Sequence, residues 1–257
     1  MKAAWSAGSA DNIGLAAAGM AYYAFLAMVP LMAVAVLSYG LFVDPETLAR
    51  HAQAIAGALP QSAAELVTSQ LEAVVETRSG AKGIGLVIAL GLAIISARGA
   101  AGGMVTGLNI VFDVEEGRSF LRSNLVALAI TLGAVIGLAL VALSVTLTAA
   151  LPGILAPLFG HALVFLAGFA GAAVLYRRAP ARPTLGWGAT VPGALLFAAG
   201  WLVATLAFTA YVSNFGNYNA TYGSLGAVVI LLTWFYASAY ILLLGAEMSA
   251  VSAREQG

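Results

Sequence analysis

The chain has 257 residues, of which 61% are hydrophobic and 9% are charged, whereas a soluble domain carries roughly 25% charged residues. Lysine plus arginine equals aspartate plus glutamate, at 11 each, so no net charge attracts nucleic acid. Cysteine is absent, which excludes disulfide bonds, thiolate metal sites and a cysteine nucleophile.

Six apolar segments are each long enough to cross a bilayer as a helix, because about 20 residues span its hydrocarbon core. In chain order they occupy residues 13–43, 83–112, 122–150, 158–176, 184–212 and 223–251. We therefore predict one all-α domain over residues 1–257, a polytopic membrane protein with six transmembrane helices. An even number of spans places both termini on the same side.

The positions of the basic residues predict which side that is. The side that carries the termini would also carry Lys2, Arg118, Arg122, Arg177, Arg178, Arg182 and Arg254. Short loops rich in lysine and arginine stay in the cytoplasm. The predicted orientation is therefore N-in and C-in.

Residues 45–79, between the first two spans, are predicted to form a short amphipathic helical hairpin on the outer face. Asp44 and Pro45 have the pattern of an N-cap followed by a first-turn proline, and Pro60 separates the two helices. The hairpin either packs as a lid on the helix ends or contacts lipid or a partner. Both interpretations stay open.

Two prolines, Pro30 in the first span and Pro192 in the fifth, are predicted helix breaks. The second span has a face of small residues around Gly99 and Gly103, which is typical of helices that pack closely. Close packing does not explain Arg98, a full charge near the middle of the same span.

Several stretches, in order along the chain, resemble the YihY/BrkB family of bacterial inner-membrane proteins. They are Ala21-Tyr22-Tyr23-Ala24-Phe25-Leu26 with Val29-Pro30-Leu31, Ser96-Ala97-Arg98-Gly99 with Leu108-Asn109, Pro192-Gly193-Ala194, the run from Tyr218 to Gly226, Trp234-Phe235-Tyr236 and Leu244-Gly245-Ala246-Glu247. The resemblance covers nearly the whole chain and implies a multi-pass protein of the bacterial inner (cytoplasmic) membrane. Members are described as transporters or exporters, and an older label, ribonuclease BN, is attached to the family.

The residues themselves argue against a nuclease. A nuclease needs clustered Asp, Glu or His residues for metal ions and a basic groove for phosphates, whereas His51 and His161 are isolated in the sequence. A serine protease built on Ser224 would have to use His161 as its base, and no acid is placed to orient that histidine. We expect no enzyme activity, no catalytic residue, no metal site and no cofactor.

Arg98 is the first candidate for a binding residue. A guanidinium carries five donors and does not deprotonate, so inside a span it needs carbonyl groups, hydroxyl groups, water or a bound anion. It either contacts an anion or a lipid headgroup, or it is a structural hub bonded to carbonyls freed near Pro30 or Pro192. The predicted substrate-binding residues that accompany it are Tyr22, Tyr23 and Asn109.

The outer loop before the last span is uncharged but rich in amide and aromatic groups. These residues are either ordinary membrane anchors and turn formers, or a binding rim for a polar head. The residues assigned to the rim are Asn217, Asn219 and Tyr222.

Glu247 lies near the cytoplasmic end of the last span. It is predicted to be either a proton-coupling carboxylate or half of a structural ion pair. The arginines proposed for that pair are Arg118, Arg122 and Arg178.

The function predicted from these features is a transporter or exporter of an amphipathic or anionic, lipid-like solute, through a cavity near Arg98. The expected partners are membrane lipid and that solute, not nucleic acid, and a homo-oligomer is left open. The alternative is a non-transporting envelope scaffold. A polar cavity reaching Arg98 would favour the transporter, and a dry, filled core would favour the scaffold.

Overall fold

The structure, a computed structural model, describes residues 2–42, 79–149, 155–214 and 219–256. In these ranges all regular structure is helical: α1 Lys2–Ala10, α2 Ile13–Phe42, α3 Ser79–Val111, α4 Phe120–Ala149, α5 Leu155–Arg178, α6 Trp187–Asn214 and α7 Asn219–Gln256. The six long helices coincide with the six predicted apolar segments to within a few residues. The all-α prediction is therefore confirmed for the described residues.

The apolar character of these helices is that of a multi-pass membrane protein. Among the described residues, four stretches are long and apolar enough to cross a membrane: Val87–Val111, Leu158–Arg178, Trp187–Tyr211 and Val228–Gln256. Shorter apolar stretches lie at Ile13–Met28 in α2 and Phe120–Ala134 in α4. The hairpin predicted at 45–79 lies outside the described residues, apart from Ser79, which begins α3.

The long helices form a ring in chain order. Each one packs on the next from α2 to α7, and α7 closes the ring against α2. The short helix α1 packs mainly on α7 and also touches α2. Because α1 joins the start of α2 to the last part of α7, both chain termini lie at one end of the ring, which we call the terminal end.

The buried core lies at the terminal end. It is built from the start of α2, the end of α3, the end of α5, the start of α6 and the second half of α7, and its least exposed side chains include Ala17, Leu108, Val111, Tyr176, Leu243 and Ala246. Helices α6 and α7 touch backbone to backbone there, because a Cβ atom on Gly193 would overlap the carbonyl oxygen of Gly245 and the hydroxyl of Ser249. Two of the stretches that carry the family resemblance therefore meet in space.

Both predicted helix breaks lie inside continuous helices. Pro30 is within α2 and Pro192 is within α6, and each helix continues on both sides of its proline. A proline removes one N–H donor, and neighbouring helices can compensate for the bond that is lost. Next to Pro192, the Ser249 hydroxyl donates to the Thr190 carbonyl at 3.3 Å and ties α7 to α6.

Candidate functional site

Arg98 is exposed on α3, beside the first residue of α4. Its side chain is exposed, and its Cζ atom lies 5.0 Å from the centre of the Phe120 ring. A cation–π contact at an exposed site is worth about 0.5–1 kcal/mol. Among the described residues Arg98 has no hydrogen-bond or carboxylate partner. The Phe120 ring is thus the one contact that the described residues offer to its charge.

Phe120 also indicates the level at which the Arg98 guanidinium lies. Helix α4 begins at Phe120, directly after the charged segment 113–118, which needs water or headgroups around it. The guanidinium therefore lies at the level of a helix start. Arg98 is near the middle of α3 in sequence, but α3 has 33 residues, and a helix of that length, about 50 Å, extends beyond a hydrocarbon core of about 30 Å.

Tyr23 packs against the same part of α3. Its ring covers Gly99 and Gly103, since a Cβ atom on these glycines would lie 3.4 Å and 3.1 Å from ring carbons of Tyr23. Tyr22 meets Tyr23 edge-on, with ring centres 5.7 Å apart, and both side chains are exposed. The small-residue face of α3 therefore receives an aromatic ring from α2, directly beside Arg98 in sequence.

Asn109, by contrast, is part of a buried polar network at the terminal end. Its side chain is 5% exposed, its Nδ2 donates to Glu116 Oε2 at 3.0 Å, and its Oδ1 accepts from the Ala181 backbone N–H at 2.9 Å. It lies 11 residues after Arg98 in one helix, a distance of about 16 Å along the axis. The structure therefore separates Asn109 from the Arg98 site.

Glu116 and Arg118 complete that network. The guanidinium binds the carboxylate with two bonds, Nε to Oε1 at 2.7 Å and Nη2 to Oε2 at 2.6 Å, and Nη2 also donates to the Ala179 carbonyl at 3.0 Å. The hydrogen bonds from Arg118 lower the pKa of Glu116 from 4.5 to about 2. No motif in the sequence predicts this ion pair, because each partner looks like an ordinary charged residue of a loop.

A pocket opens beside this network. It has a volume of about 420 Å³ and is lined mainly by polar and acidic groups: Asp11, Thr106, Asn109, Asp113, Glu115 and Glu116, with Ile110 and Val114. Within the described ranges, no three His, Asp or Glu side chains are grouped so as to hold a metal ion. The pocket is therefore acidic without being a built metal site.

Glu247 is sealed between α7 and α1. Its side chain is 0% exposed, and neither carboxylate oxygen has a hydrogen-bond partner among the described residues. Gly8 of α1 covers it, since a Cβ atom there would lie 3.6 Å from Glu247 Cγ. The arginines considered for an ion pair are placed elsewhere: Arg118 binds Glu116, and Arg122 and Arg178 are exposed.

Two further arginines stack on aromatic rings near the terminal end. Arg177 lies 4.0 Å from the centre of the Trp187 ring, and Arg182 lies 5.3 Å from the centre of the Phe112 ring. Aromatic residues and arginines at helix ends are typical of membrane–water interfaces. That pattern is visible in the sequence, but the pairing of individual residues is not.

The structure thus packs Tyr23 on glycines beside Arg98 in α3, with no hydrogen bond or ring contact between Arg98 and either tyrosine, and it places Asn109 and Glu247 at the terminal end. Asn219 and Tyr222 lie in the first part of α7, and their side chains are not among those described. Asn217 lies outside the described residues. The outer binding rim stays a prediction.

The sequence matches a family model described as virulence factor BrkB over residues 4–257. A ribonuclease-like protein of Bacillus subtilis strain 168, YfkH, is 31% identical over 75% of this chain and 73% of its own length. A UPF0761 membrane protein of Aeromonas salmonicida strain A449 is 29% identical over 96% of this chain and 86% of its own length. One of Psychromonas ingrahamii is 27% identical over 96% and 85%. No solved structure matches the chain.

Proposed function

The chain belongs to the virulence factor BrkB family, and we propose that it is a membrane transporter or exporter of an amphipathic, lipid-like anion whose charged head binds Arg98. The observation that carries this proposal is the exposed guanidinium on an apolar helix, whose one partner among the described residues is the Phe120 ring. A guanidinium that no carboxylate of the described residues neutralises can bind an anionic head directly.

The surface around Arg98 favours a lipid-like anion over a small soluble one. Ile94, Ile95 and Leu121 are 68%, 70% and 70% exposed, so the guanidinium lies in an apolar flank that faces lipid. An anion that reaches it from the membrane needs an apolar body of its own. Arginine suits a phosphate or carboxylate head, because its planar fork donates two parallel hydrogen bonds.

A small pocket lies between α3 and α4. It has a volume of about 140 Å³, and its lining includes Gly102, one turn after Arg98, the hydroxyl-bearing residues Thr106 and Ser123, and the ion pair of Arg118 with Glu116. Arg98 lines neither this pocket nor the one of about 420 Å³, so neither is the polar cavity that the sequence predicts near Arg98. The proposed route is therefore along the α3–α4 flank, not through a central cavity.

The proposal includes six spans in the bacterial inner membrane, with both termini in the cytoplasm. The arginines that predict this orientation lie near the terminal end: Arg118 bonds to the 179–181 turn, and Arg177 stacks beside the start of α6. The chain has no cysteine, so a single Ser119→Cys substitution reports topology directly. A maleimide that cannot cross the membrane should label this cysteine only after the spheroplasts are broken and their cytoplasmic face is accessible. Labelling in intact spheroplasts would indicate the opposite orientation.

The scaffold alternative is supported by the filled core of the terminal end, where helices approach as closely as Gly193 and Gly245 allow. A scaffold needs that rigidity and needs no lipid movement. The two functions therefore differ in one measurable property, the transbilayer movement of an anionic lipid.

The test uses the purified full chain in liposomes that contain fluorescently labelled phosphatidylglycerol or phosphatidylcholine. Movement is measured as the fraction of label that an impermeant quencher reaches over time. Wild type should move phosphatidylglycerol faster than protein-free liposomes do, and Arg98→Gln should lose most of that movement. Arg98→Lys keeps the charge without the planar fork and should retain part of it.

Arg122→Gln is the matched control. Arg122 is also an exposed arginine, and it lies near the start of α4, the helix that begins at Phe120. It should leave the movement unchanged. Wild type that moves no lipid would refute transport and favour the scaffold. Equal movement in wild type and Arg98→Gln would refute the binding site while leaving transport in place.

A further inference from the structure

The carboxyl group of Glu247 is buried in the packed core next to one other carboxyl group, that of Asp11. It is 0% exposed, and among the described residues no basic side chain, amide or backbone N–H donates to it. Asp11 shares a side-chain hydrogen bond with it when one of the two carboxyl groups holds a proton. Buried groups on either side of it along α7 include Leu243, Ala246 and Ala250. An ionised carboxylate in such a place costs several kcal/mol unless a cation or hydrogen-bond donors compensate for the lost water.

The charged neighbours do not supply that compensation. The Asp11 carboxylate, in the turn between α1 and α2, acts electrostatically on Glu247 and has the same sign. The opposing charge is Arg254, which lies two turns further along α7 and is exposed. The other charged groups on the helices that pack against α7 are remote from Glu247. Helices α2 and α6 carry no charged residue, and the chain has none between Arg98 in α3 and Asp113. The charged residues of α1 and α5 lie at the helix ends and are Lys2, Arg177 and Arg178.

We infer that Glu247 is a proton-binding site, which exchanges its proton with water through Asp11 and the acidic pocket at the terminal end. Asp11 suits the role of relay because it lies three residues after Gly8, whose Cβ position is 3.6 Å from Glu247 Cγ, and because it is half-buried and lines the pocket of about 420 Å³. In the exchange, the O–H bond of the Glu247 carboxyl breaks as one forms on the Asp11 carboxylate. Asp11 then passes the proton to water in the pocket.

Helix α1 covers this site. Gly8 lies directly over Glu247, and the Trp5 ring packs edge-on against Tyr240 with ring centres 6.3 Å apart. Loss of the proton would leave a negative charge under α1, next to Asp11, and would loosen that helix from α7. Any coupling of this proton to lipid movement rests on the function proposed above. The proton-binding site does not, because it is inferred from the burial of the Glu247 carboxyl group.

Infrared difference spectra of the purified full chain, recorded as the pH is stepped upward, test the site. Wild type should lose a protonated-carboxyl C=O band as Glu247 ionises, and Glu247→Gln should lack that band at every pH. Asp11→Asn should shift the pH of the change, because it removes the neighbouring negative charge. Glu255→Gln, an exposed carboxylate on the same helix, should leave the band unchanged.

A second measurement is the unfolding temperature against pH. A group that holds its proton in the folded state contributes stability that is lost as the pH rises. Wild type should therefore become less stable relative to Glu247→Gln as the pH increases. A band that persists in Glu247→Gln would overturn the inference, and so would wild-type stability that responds to sodium but not to pH. Neither measurement requires transport. A protein that moves no lipid but shows the pH-dependent band would therefore refute the proposed function and still support the proton-binding site.

If Glu247→Gln does not fold, wild type and Asp11→Asn carry the test. A wild-type band that does not change with pH would then contradict the inference. So would an Asp11→Asn variant whose band changes at the same pH as the wild-type band.

Discussion

The terminal end and the opposite half of the ring are built from the same helices but bury their side chains differently. On α3, Leu108 and Val111 are 0% exposed, whereas Ile88 and Ile95 are 58% and 70% exposed. Both pairs are equally apolar, so hydrophobicity alone does not separate the side chains that face protein from those that face lipid. The difference lies in the small residues that let the helices close together at the terminal end.

Hydrogen bonds show the same contrast. In the half away from the termini, Thr205, Thr209 and Thr233 each donate to the carbonyl four residues earlier in their own helix. At the terminal end several bonds join different segments, as Tyr176 to the Leu242 carbonyl and Asn109 to Glu116 do, although Thr190 also donates within its own helix. Between the two regions, Trp201 Nε1 donates to the Ser238 hydroxyl and links α6 to α7. The terminal end is therefore held by tertiary contacts, and we expect stability to be most sensitive to mutation there.

The sharpest test of this contrast compares one deletion in each region. Leu243→Ala removes a fully buried side chain and should cost about 2–5 kcal/mol, nearer the lower value because detergent also offers apolar contacts. Ile95→Ala removes a side chain that is 70% exposed and should cost well under about 1 kcal/mol. Both costs are measured as changes in the free energy of unfolding in mixed detergent micelles. Equal costs for the two variants would contradict the difference in packing between the two regions.

Gly193→Ala tests the closest approach of two helices. The new methyl group would overlap the Gly245 carbonyl oxygen and the Ser249 hydroxyl, so the variant should lose about 1–3 kcal/mol or more through overpacking. Gly19→Ala is the control, since nothing lies within 4 Å of its Cβ position, and it should be neutral or slightly stabilising. Similar unfolding curves for the two variants would contradict the backbone contact.

Tyr176→Phe removes one buried hydrogen bond while keeping the ring. The hydroxyl donates to the Leu242 carbonyl at 2.7 Å in a fully buried position, so its loss should cost about 1–3 kcal/mol by leaving the carbonyl with less compensation. Tyr22→Phe removes an exposed hydroxyl and should change the free energy of unfolding by less than about 0.5 kcal/mol. The same micelle titration distinguishes them.

Glu116→Gln should have the smallest effect, and a pH-dependent one. The pKa of Glu116 is lowered from 4.5 to about 2, so its contribution is present above pH 4.5 and is lost as the pH falls towards about 2. The carboxylate is partly exposed, so we expect about 1 kcal/mol or less near neutral pH. The difference in unfolding temperature between wild type and variant should shrink below pH 4.5, whereas a constant difference would show that ionisation of Glu116 does not matter.

The helix positions could be predicted because runs of apolar residues of this length are typical of long apolar helices. Helix α1 was not predicted: its 9 residues include several small ones, and so short a segment is marginal as an isolated helix. It is held by contacts with α7, such as Trp5 against Tyr240. The cover over Glu247 was therefore invisible in the sequence.

The candidate site was predicted in part. Arg98 was identifiable because a charge in an apolar run is rare, and Tyr23 does lie beside the same glycines. Its position on the outer flank was not predictable, since an arginine at the middle of a long helix gives no sign of where the next helix begins. The pairing of Glu116 with Arg118, which leaves Glu247 without an arginine, likewise depends on how the loops fold.

The sequence by itself determined the family, the all-helical architecture and the positions of the long helices, because these follow from local composition and order. Only the tertiary structure decided that the exposed Arg98 guanidinium lies over the Phe120 ring and that Glu247 is buried beneath α1. The physical reason is that a side chain's surroundings depend on residues far away in the chain. An apolar sequence indicates that a helix is not surrounded by water. It does not indicate whether protein or lipid surrounds the helix instead.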